Sequence, residues 1–173
     1  MTVSVVNDIE KYLRNLYEVI YINKMIEDPK AIKSLVQISK NAKGEIIGWE
    51  ITDKEVKFTT GDYLDCDEGA IKNGDKFIIG YFSYHFQPNG TPKLLIFRVD
   101  LEQGDLHLNP DQSLEPRLKH RIPPNESLID ITNFNCLLAI HLGLQYIRNE
   151  IYPADDNHGV YNKILEGLRR QVS

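Results

Sequence analysis

Cysteine is scarce in this chain. Only Cys66 and Cys136 occur, far apart in the sequence, which excludes a disulfide framework and leaves no zinc-type spacing. Long apolar runs are missing too, since no stretch approaches the roughly 20 residues that span a bilayer. The first residues, MTVSVVNDIEKYLRN, lack a basic region followed by an apolar core. We therefore expect no secretory signal and no membrane contact, and we predict a cytoplasmic protein.

Several catalytic and nucleotide-binding motifs are also absent. The sequence has no phosphate-binding loop, no G-x-G-x-x-G, no H-E-x-x-H and no G-x-S-x-G. We therefore expect no nucleotide cofactor and no activated serine. A metal site formed by His85, His107, His120 and Asp100 is an open alternative, but no pair of these residues has ligand spacing within one element. No cofactor and no metal are predicted.

The overall charge is acidic. Lys and Arg number 20 against 25 Asp and Glu, for a net charge of −5 over 173 residues. This balance excludes a broadly basic nucleic-acid coat. Hydrophobic residues make up 42% and charged residues 26%, as in ordinary globular domains. The length and composition predict one folded domain.

Hydrophobic periodicity predicts helices near both ends of the chain. Apolar side chains recur at helical spacing in residues 7–22 and again, more briefly, in 28–41. Further helices are predicted over 134–150, with Asn133 as N-cap, and over 158–172. The helix over 134–150 has an unusually wide apolar face, which a partner could cover.

The middle of the chain changes to the pattern of strands. KFIIGYFSYHFQ, residues 76–87, is the strongest strand, and LLIFRVD, 94–100, is predicted to return against it after a tight turn at 88–91. Arg98 then projects on the same side as Asp100 and opposite Phe97 and Val99. That hairpin puts Arg98 at the opposite end from His85. Residues 104–126 follow as a long, proline-rich loop with one short strand.

These elements predict an α+β fold. We expect an antiparallel sheet of about five strands, with helices at the N- and C-terminal ends. The predicted organisation is a single domain over 1–173. It consists of a helical segment over 1–43, the sheet and long loop over 44–126, and a helical segment over 127–173.

Titratable residues concentrate in the hairpin and the loop after it. His85 ends one strand, Arg98 and Asp100 end its partner, and His107 follows. The loop then carries the basic set Arg117, Lys119, His120 and Arg121. This chemistry is suited to phosphodiester cleavage, because a histidine can move protons near neutral pH and an arginine can stabilise the charge on phosphorus. RNA needs no metal for this reaction, since its own 2′-hydroxyl is the nucleophile.

Each of these residues also has a structural interpretation. A strand-end histidine among aromatic residues, as His85 is, is often simply packed. Arg98 two positions before Asp100 on one strand is often a surface ion pair. The basic run of Arg117, Lys119 and Arg121 fits a short phosphate contact, a structural salt-bridge site or the docking of a partner.

The order of features from Gly61 to His120 resembles the family of small TumE-type toxins of toxin–antitoxin pairs. The resemblance is carried by G-D-Y-L-D-C-D-E-G, F-S-Y-H-F-Q, L-I-F-R-V-D and a proline-rich loop that reaches K-H-R. It covers about a third of the chain and falls on Ser83, Tyr84 and His85, on Arg98 and Asp100, and on His120. It implies ribonuclease-like activity and an antitoxin protein as partner. The sequence departs from the family after Asp100, where Leu-Glu-Gln-Gly replaces Asn-Ala-Pro-His, and at His120, which lacks a second nearby histidine.

The sequence thus supports two main hypotheses. In the first, a toxin-like protein cleaves RNA with His85, Arg98 and His120 as catalytic residues. His120 would be the general acid or base and Arg98 the phosphate clamp, with Arg117, Lys119 and Arg121 binding substrate. In the second, a non-catalytic domain binds a partner protein or forms a homodimer. A small-molecule binding domain, suggested by the aromatic strand, is a third reading. The first predicts one cleft lined by His85, Arg98 and His120; the second predicts scattered residues and an exposed apolar patch on the terminal helices.

Overall fold

The fold is α+β with a single antiparallel sheet, as predicted. The computed structural model describes residues 4–27, 29–87, 89, 97–110, 120–155 and 159–172. The sheet has seven strands rather than about five. No helix within these described ranges is long and apolar enough to cross a membrane.

The strands form one continuous sheet with one strand appended. They are β1 (Ser4–Val6), β2 (Gln37–Lys40), β3 (Ile46–Lys57), β4 (Tyr63–Asn73), β5 (Lys76–Gln87), β6 (Phe97–Glu102) and β7 (Asp105–Pro110). The order across the sheet is β2-β3-β4-β5-β6-β7, and β1 pairs with β5. Since β4 occupies one edge of β5, β1 and β6 both lie along its other edge, β1 beside 77–79 and β6 beside 82–86.

The described residues form three α-helices: α1 (Ile9–Ile22), α2 (Cys136–Asn149) and α3 (Val160–Val172). Helix α2 packs on β4 and β5, and α1 and α3 pack against α2. All three confirm helices that the periodicity predicted. The Asp8 carboxylate caps α1 by accepting from the Lys11 N–H at 2.9 Å. Asn135, not the predicted Asn133, caps α2, accepting from the Leu138 N–H at 3.1 Å. Asn133 instead accepts from the Val5 N–H and holds β1.

The predicted helix over 28–41 is wrong in its second half. Pro29–Ser34 forms only a short 3-10 helix, and Gln37–Lys40 is strand β2. The apolar spacing that suggested a helix places Leu35 in the core. The four residues of β2, Gln37–Lys40, are exposed and pair with β3. Backbone pairing at the sheet edge therefore overrides a weak local periodicity. The N-terminal segment accordingly contains two strands besides its helix.

The pairing of β5 with β6 also differs from the prediction. Phe86 lies opposite Phe97 and His85 lies directly opposite Arg98, whereas a tight turn at 88–91 predicted them at opposite ends of the hairpin. The core sets this register, because Phe97, Val99 and Leu101 are buried with Phe86 and its neighbours. The Phe86 and Phe97 rings stack with centroids 5.3 Å apart. Leu94, Leu95 and Ile96 of the predicted strand lie outside the described residues.

The wide apolar face of α2 is covered within the chain. Every residue from Cys136 to Leu144 except the half-buried His141 is buried, and the hydrophobic ones belong to the same core as the inner sheet face and the apolar stripe of α1. Among the described side chains, neither α2 nor α3 exposes a large hydrophobic residue. The observation that suggested a partner on α2 is thus explained by packing inside the chain.

A buried carboxylate joins the helices to the sheet. Glu68 on β4 is fully buried and accepts from the Trp49 indole N–H at 2.5 Å and from the Cys136 backbone N–H at 2.9 Å. The hydroxyls of Tyr12 and Tyr84 also donate to it. The α1 helix, three strands and the N-terminus of α2 thereby meet at one side chain. Burial raises the pKa of Glu68, and these hydrogen bonds oppose that rise.

Candidate active site

The outer face of the sheet, opposite the helices, carries a row of polar side chains. Asp65, His85, Arg98 and Asn109 lie side by side on β4, β5, β6 and β7. One step along, Ser83, Asp100 and His107 form a second row on β5 to β7. The two-residue alternation of strands sends these residues outward while their neighbours fill the core. The predicted orientation of Arg98 and Asp100 on one face is confirmed.

Asp100 organises this face. It is almost completely buried, and the Nε of Arg98 lies 2.9 and 2.8 Å from its two carboxylate oxygens. Asn109 donates to the same carboxylate at 2.8 Å. In the part of the chain that the structure describes, Arg98 bonds no other residue. Asp100 therefore anchors the guanidinium through Nε, and no described residue engages its two terminal nitrogens, which can donate to a ligand.

His107 supports the same carboxylate from β7. Its Nε2 lies 3.5 Å from an oxygen of Asp100, and its Nδ1 lies 3.3 Å from the carbonyl oxygen of Asp105. Because a carboxylate only accepts, the ring supports Asp100 by donating from Nε2. The ring is nearly buried and held at both ends. His107 therefore lies behind Asp100 and helps to hold its carboxylate in position.

A cavity of about 250 Å³ opens over these residues. Its walls are formed by side chains of β6 and β7 on the outer sheet face and by His120 and Arg121 near the end of the long loop. The lining residues are Arg98, Asp100, Glu102, His107, Asn109, His120 and Arg121. Two arginines and two carboxylates thus surround a small opening with an exposed histidine at its edge.

His85 lies beside this cavity and is not among its lining residues. The Tyr63 hydroxyl donates to the Gln87 amide oxygen at 2.5 Å, so the amide nitrogen of Gln87 faces His85 Nδ1, at 3.2 Å. Nδ1 then accepts, and the neutral ring carries its hydrogen on Nε2. Burial lowers the pKa of His85, and the neighbouring Arg98 lowers it further, although Asp100 opposes the shift. The arrangement favours a neutral His85 that donates from Nε2.

The predicted loop residues divide into two groups. His120 and Arg121 line the cavity, so the structure brings both of them to Arg98. Arg121 also forms an ion pair with Asp105, in which both side chains are about half exposed, and such pairs contribute little stability. Arg117 and Lys119, predicted to bind substrate, lie outside the described residues.

Two members of the site were missed or undervalued from the sequence. Asn109 carries no signal, and His107 is noted among the titratable residues and as a possible metal ligand but is not chosen as a site residue. A usable signal exists in Gln103 and Gly104, which both have positive φ angles and make the tight β6–β7 turn. A two-residue hairpin centred there places Asp100 opposite His107 and Arg98 opposite Asn109.

No protein-family model, no curated protein and no solved structure matches this chain. Within the described ranges, no group of three or more His, Cys, Asp or Glu side chains has an arrangement that could hold a metal ion.

Proposed function

We propose that this protein is a toxin-like ribonuclease that cleaves RNA at the cavity lined by Arg98 and His120, without a metal ion. The observation that carries the proposal is the anchored guanidinium of Arg98 in the same small cavity as an exposed histidine. Arginine held by a carboxylate through Nε presents its terminal N–H groups as a fork that fits two phosphate oxygens.

The roles follow from these contacts. His120 accepts the proton of the RNA 2′-hydroxyl as the 2′-oxygen attacks phosphorus. Arg98 stabilises the charge that develops on the non-bridging oxygens. The bond from phosphorus to the 5′-oxygen breaks, and because the cavity is open, solvent supplies the proton to that leaving oxygen. The products carry a 2′,3′-cyclic phosphate and a 5′-hydroxyl.

The remaining residues position this pair. Asp100 fixes Arg98, and His107 and Asn109 fix Asp100. His85 donates a hydrogen bond from Nε2 beside Arg98 and does not act as the base, because its Nδ1 is engaged by Gln87. Arg121, with Arg117 and Lys119, supplies further contacts to phosphate. With a net charge of −5, the protein would recognise a short stretch of RNA by these few contacts.

Growth after induced expression in a bacterial host tests this proposal. The wild type is expected to arrest growth, and Arg98→Gln and His120→Ala are expected to relieve the arrest while they accumulate as folded protein. Arg14→Gln, which removes an exposed arginine from the helical side, is the matched control and should still arrest growth. Arrest by all variants, or growth with abundant folded wild type, would contradict the proposal. Under the proposal, an antitoxin protein encoded with this chain should suppress the arrest.

The second candidate function is a non-catalytic interaction domain, and one observation favours it. On the outer face of the sheet, Val5, Ile78 and Ile71 lie in register across β1, β5 and β4, and Ile71 is 69% exposed. An apolar stripe of this kind suits contact with a partner protein or a second copy of the chain. Under this candidate, Ile71→Lys would abolish association or dimerisation, as measured by sedimentation, and Arg98→Gln would not.

A further inference from the structure

A second cavity lies on the helical side of the sheet, away from the candidate active site. It has a volume of about 700 Å³ and opens between α1, α2 and α3. Sites for small organic ligands usually occupy about 300–1,000 Å³. Its apolar walls include Val19 from α1, Leu137 from α2 and Leu168 from α3.

Two nitrogen-bearing side chains of α2 line this cavity and have no strong acceptor among the described residues. His141 is half-buried and has no hydrogen-bond partner among the residues that the structure describes. Arg148 donates its Nε to the thioether sulfur of Met25 at 3.4 Å, which is a weak acceptor. Within the same described ranges Arg148 forms no ion pair. Donors of this kind beside an apolar wall are the complement of a carboxylate.

The local charge also favours an anion. Among the described lining residues, the charged ones are Glu18 on α1, Lys24 in the turn after α1 and Arg148 on α2, and α3 contributes the apolar Leu168. Two of the three charges are therefore positive. Burial, and secondly the charge of Arg148, lower the pKa of His141 to about 4, so the ring is neutral near pH 7 and can donate one hydrogen bond.

We propose that this cavity binds a small carboxylate with a hydrocarbon body. The carboxylate accepts hydrogen bonds from Arg148 and His141. The hydrocarbon part packs against Val19, Leu137 and Leu168. This site is independent of the proposed ribonuclease activity, since it uses neither its residues nor its face of the sheet.

Binding of three matched probes tests the assignment: octanoate, octan-1-ol and octylammonium, measured by calorimetry on the full chain. Octanoate is expected to bind at least about tenfold more tightly than octan-1-ol, a ratio equivalent to about 1.4 kcal/mol. Octylammonium is expected to bind more weakly than either. Equal binding of octanoate and octan-1-ol would overturn the proposal. So would the absence of octanoate binding at concentrations up to about 10 mM, because the Kd would then be weaker than millimolar.

Variants test the contribution of the Arg148 guanidinium separately from that of the apolar walls. Arg148→Gln, at an exposed position, should remove the preference for octanoate over octan-1-ol, whereas the control Arg14→Gln should keep it. Val19→Phe fills part of the cavity and should weaken both probes. An undiminished octanoate preference in Arg148→Gln would refute the role of the guanidinium.

The titration of His141 tests whether the bound carboxylate lies beside its ring, because ligand binding would leave the pKa of a purely structural histidine unchanged. Followed by NMR, its pKa should rise when octanoate is bound, because an added negative charge favours the imidazolium. Octan-1-ol should produce no such rise. If saturating octanoate leaves the titration of His141 unchanged, the carboxylate does not lie beside this ring and the proposal is wrong.

Discussion

Replacing Glu68 by Gln changes one atom of a fully buried carboxylate and tests how the core is held together. The two oxygens of Glu68 accept from four donors. Tyr12 and Tyr84 donate through hydroxyls that can rotate, whereas the Trp49 indole N–H and the Cys136 backbone N–H are fixed in direction. Trp49 donates to Oε1 and Cys136 to Oε2.

The glutamine amide cannot satisfy both fixed donors. With its NH₂ at the Oε1 position, it faces the Trp49 N–H; at the Oε2 position, it faces the Cys136 N–H. Either orientation leaves one buried donor without an acceptor, which costs about 1–3 kcal/mol. Glu68→Gln is therefore expected to lose about that free energy of unfolding at acidic pH, where the wild-type carboxyl is neutral as well.

The pH dependence has a definite sign. Because burial raises the pKa of Glu68 above 4.5 in the folded state, the folded chain holds this proton at pH values where the unfolded chain has released it. The stability that Glu68 contributes is therefore complete below about 4.5 and is lost as pH rises through the folded pKa. The wild-type advantage over Glu68→Gln should fall by at most about 1.4 kcal/mol per pH unit in this window.

Denaturant unfolding of the wild type and Glu68→Gln from pH 4 to 8 measures this difference in the free energy of unfolding. Glu27→Gln, at an exposed glutamate, is the control, and its difference from the wild type should not change with pH. A wild-type advantage that grows as pH rises above 4.5 would contradict the raised pKa of Glu68. It would mean that the hydrogen bonds to Glu68 outweigh its burial and lower its pKa.

Three further predictions concern backbone fit, helix capping and titration. Gly48→Ala should lower the free energy of unfolding by about 1–3 kcal/mol, because its Cβ would lie 2.5 Å from the Ala70 carbonyl oxygen. The control Gly80→Ala has open space at its Cβ and should change the melting temperature little. Equal effects of the two substitutions would show that this close contact does not matter. Asn135→Ala removes the cap of α2 and should cost about 1 kcal/mol in denaturant unfolding, whereas an unchanged midpoint would show that the cap is dispensable. His141 should titrate by NMR near 4, with stability lost as pH falls from 6.5 toward 4; a midpoint near 6.5 would show that the ring is solvated.

The elements with long, regular periodicity could be predicted from the sequence. The stripe of α1, the alternation of β5 and the apolar face of α2 each follow from local pattern, and each was confirmed. The strand β2 could not be predicted in the same way, because all four of its residues are exposed and only pairing with β3 makes them a strand. Local signals do not specify such long-range pairing.

The candidate site was predictable in its members more than in its geometry. His85, Arg98 and His120 are selected by residue type, and the alternation of β6 correctly gives Arg98 and Asp100 one face. The position of His85 opposite Arg98 depends on which aromatic residues stack in the core, and a turn signal at 88–91 does not determine that. Glu68 gave no signal, since a carboxylate in a strand usually faces solvent.

Cleavage of a short RNA by the purified protein in the presence of EDTA tests the proposed ribonuclease activity itself. The substrate is compared with the same oligonucleotide carrying 2′-deoxyribose throughout. We expect the wild type to cut the RNA alone and to leave 2′,3′-cyclic phosphate ends, and we expect Arg98→Gln and His120→Ala to lose this activity while Arg14→Gln keeps it. Cleavage of the deoxy substrate, undiminished activity in Arg98→Gln, or intact RNA after incubation with folded wild type would contradict the proposed function.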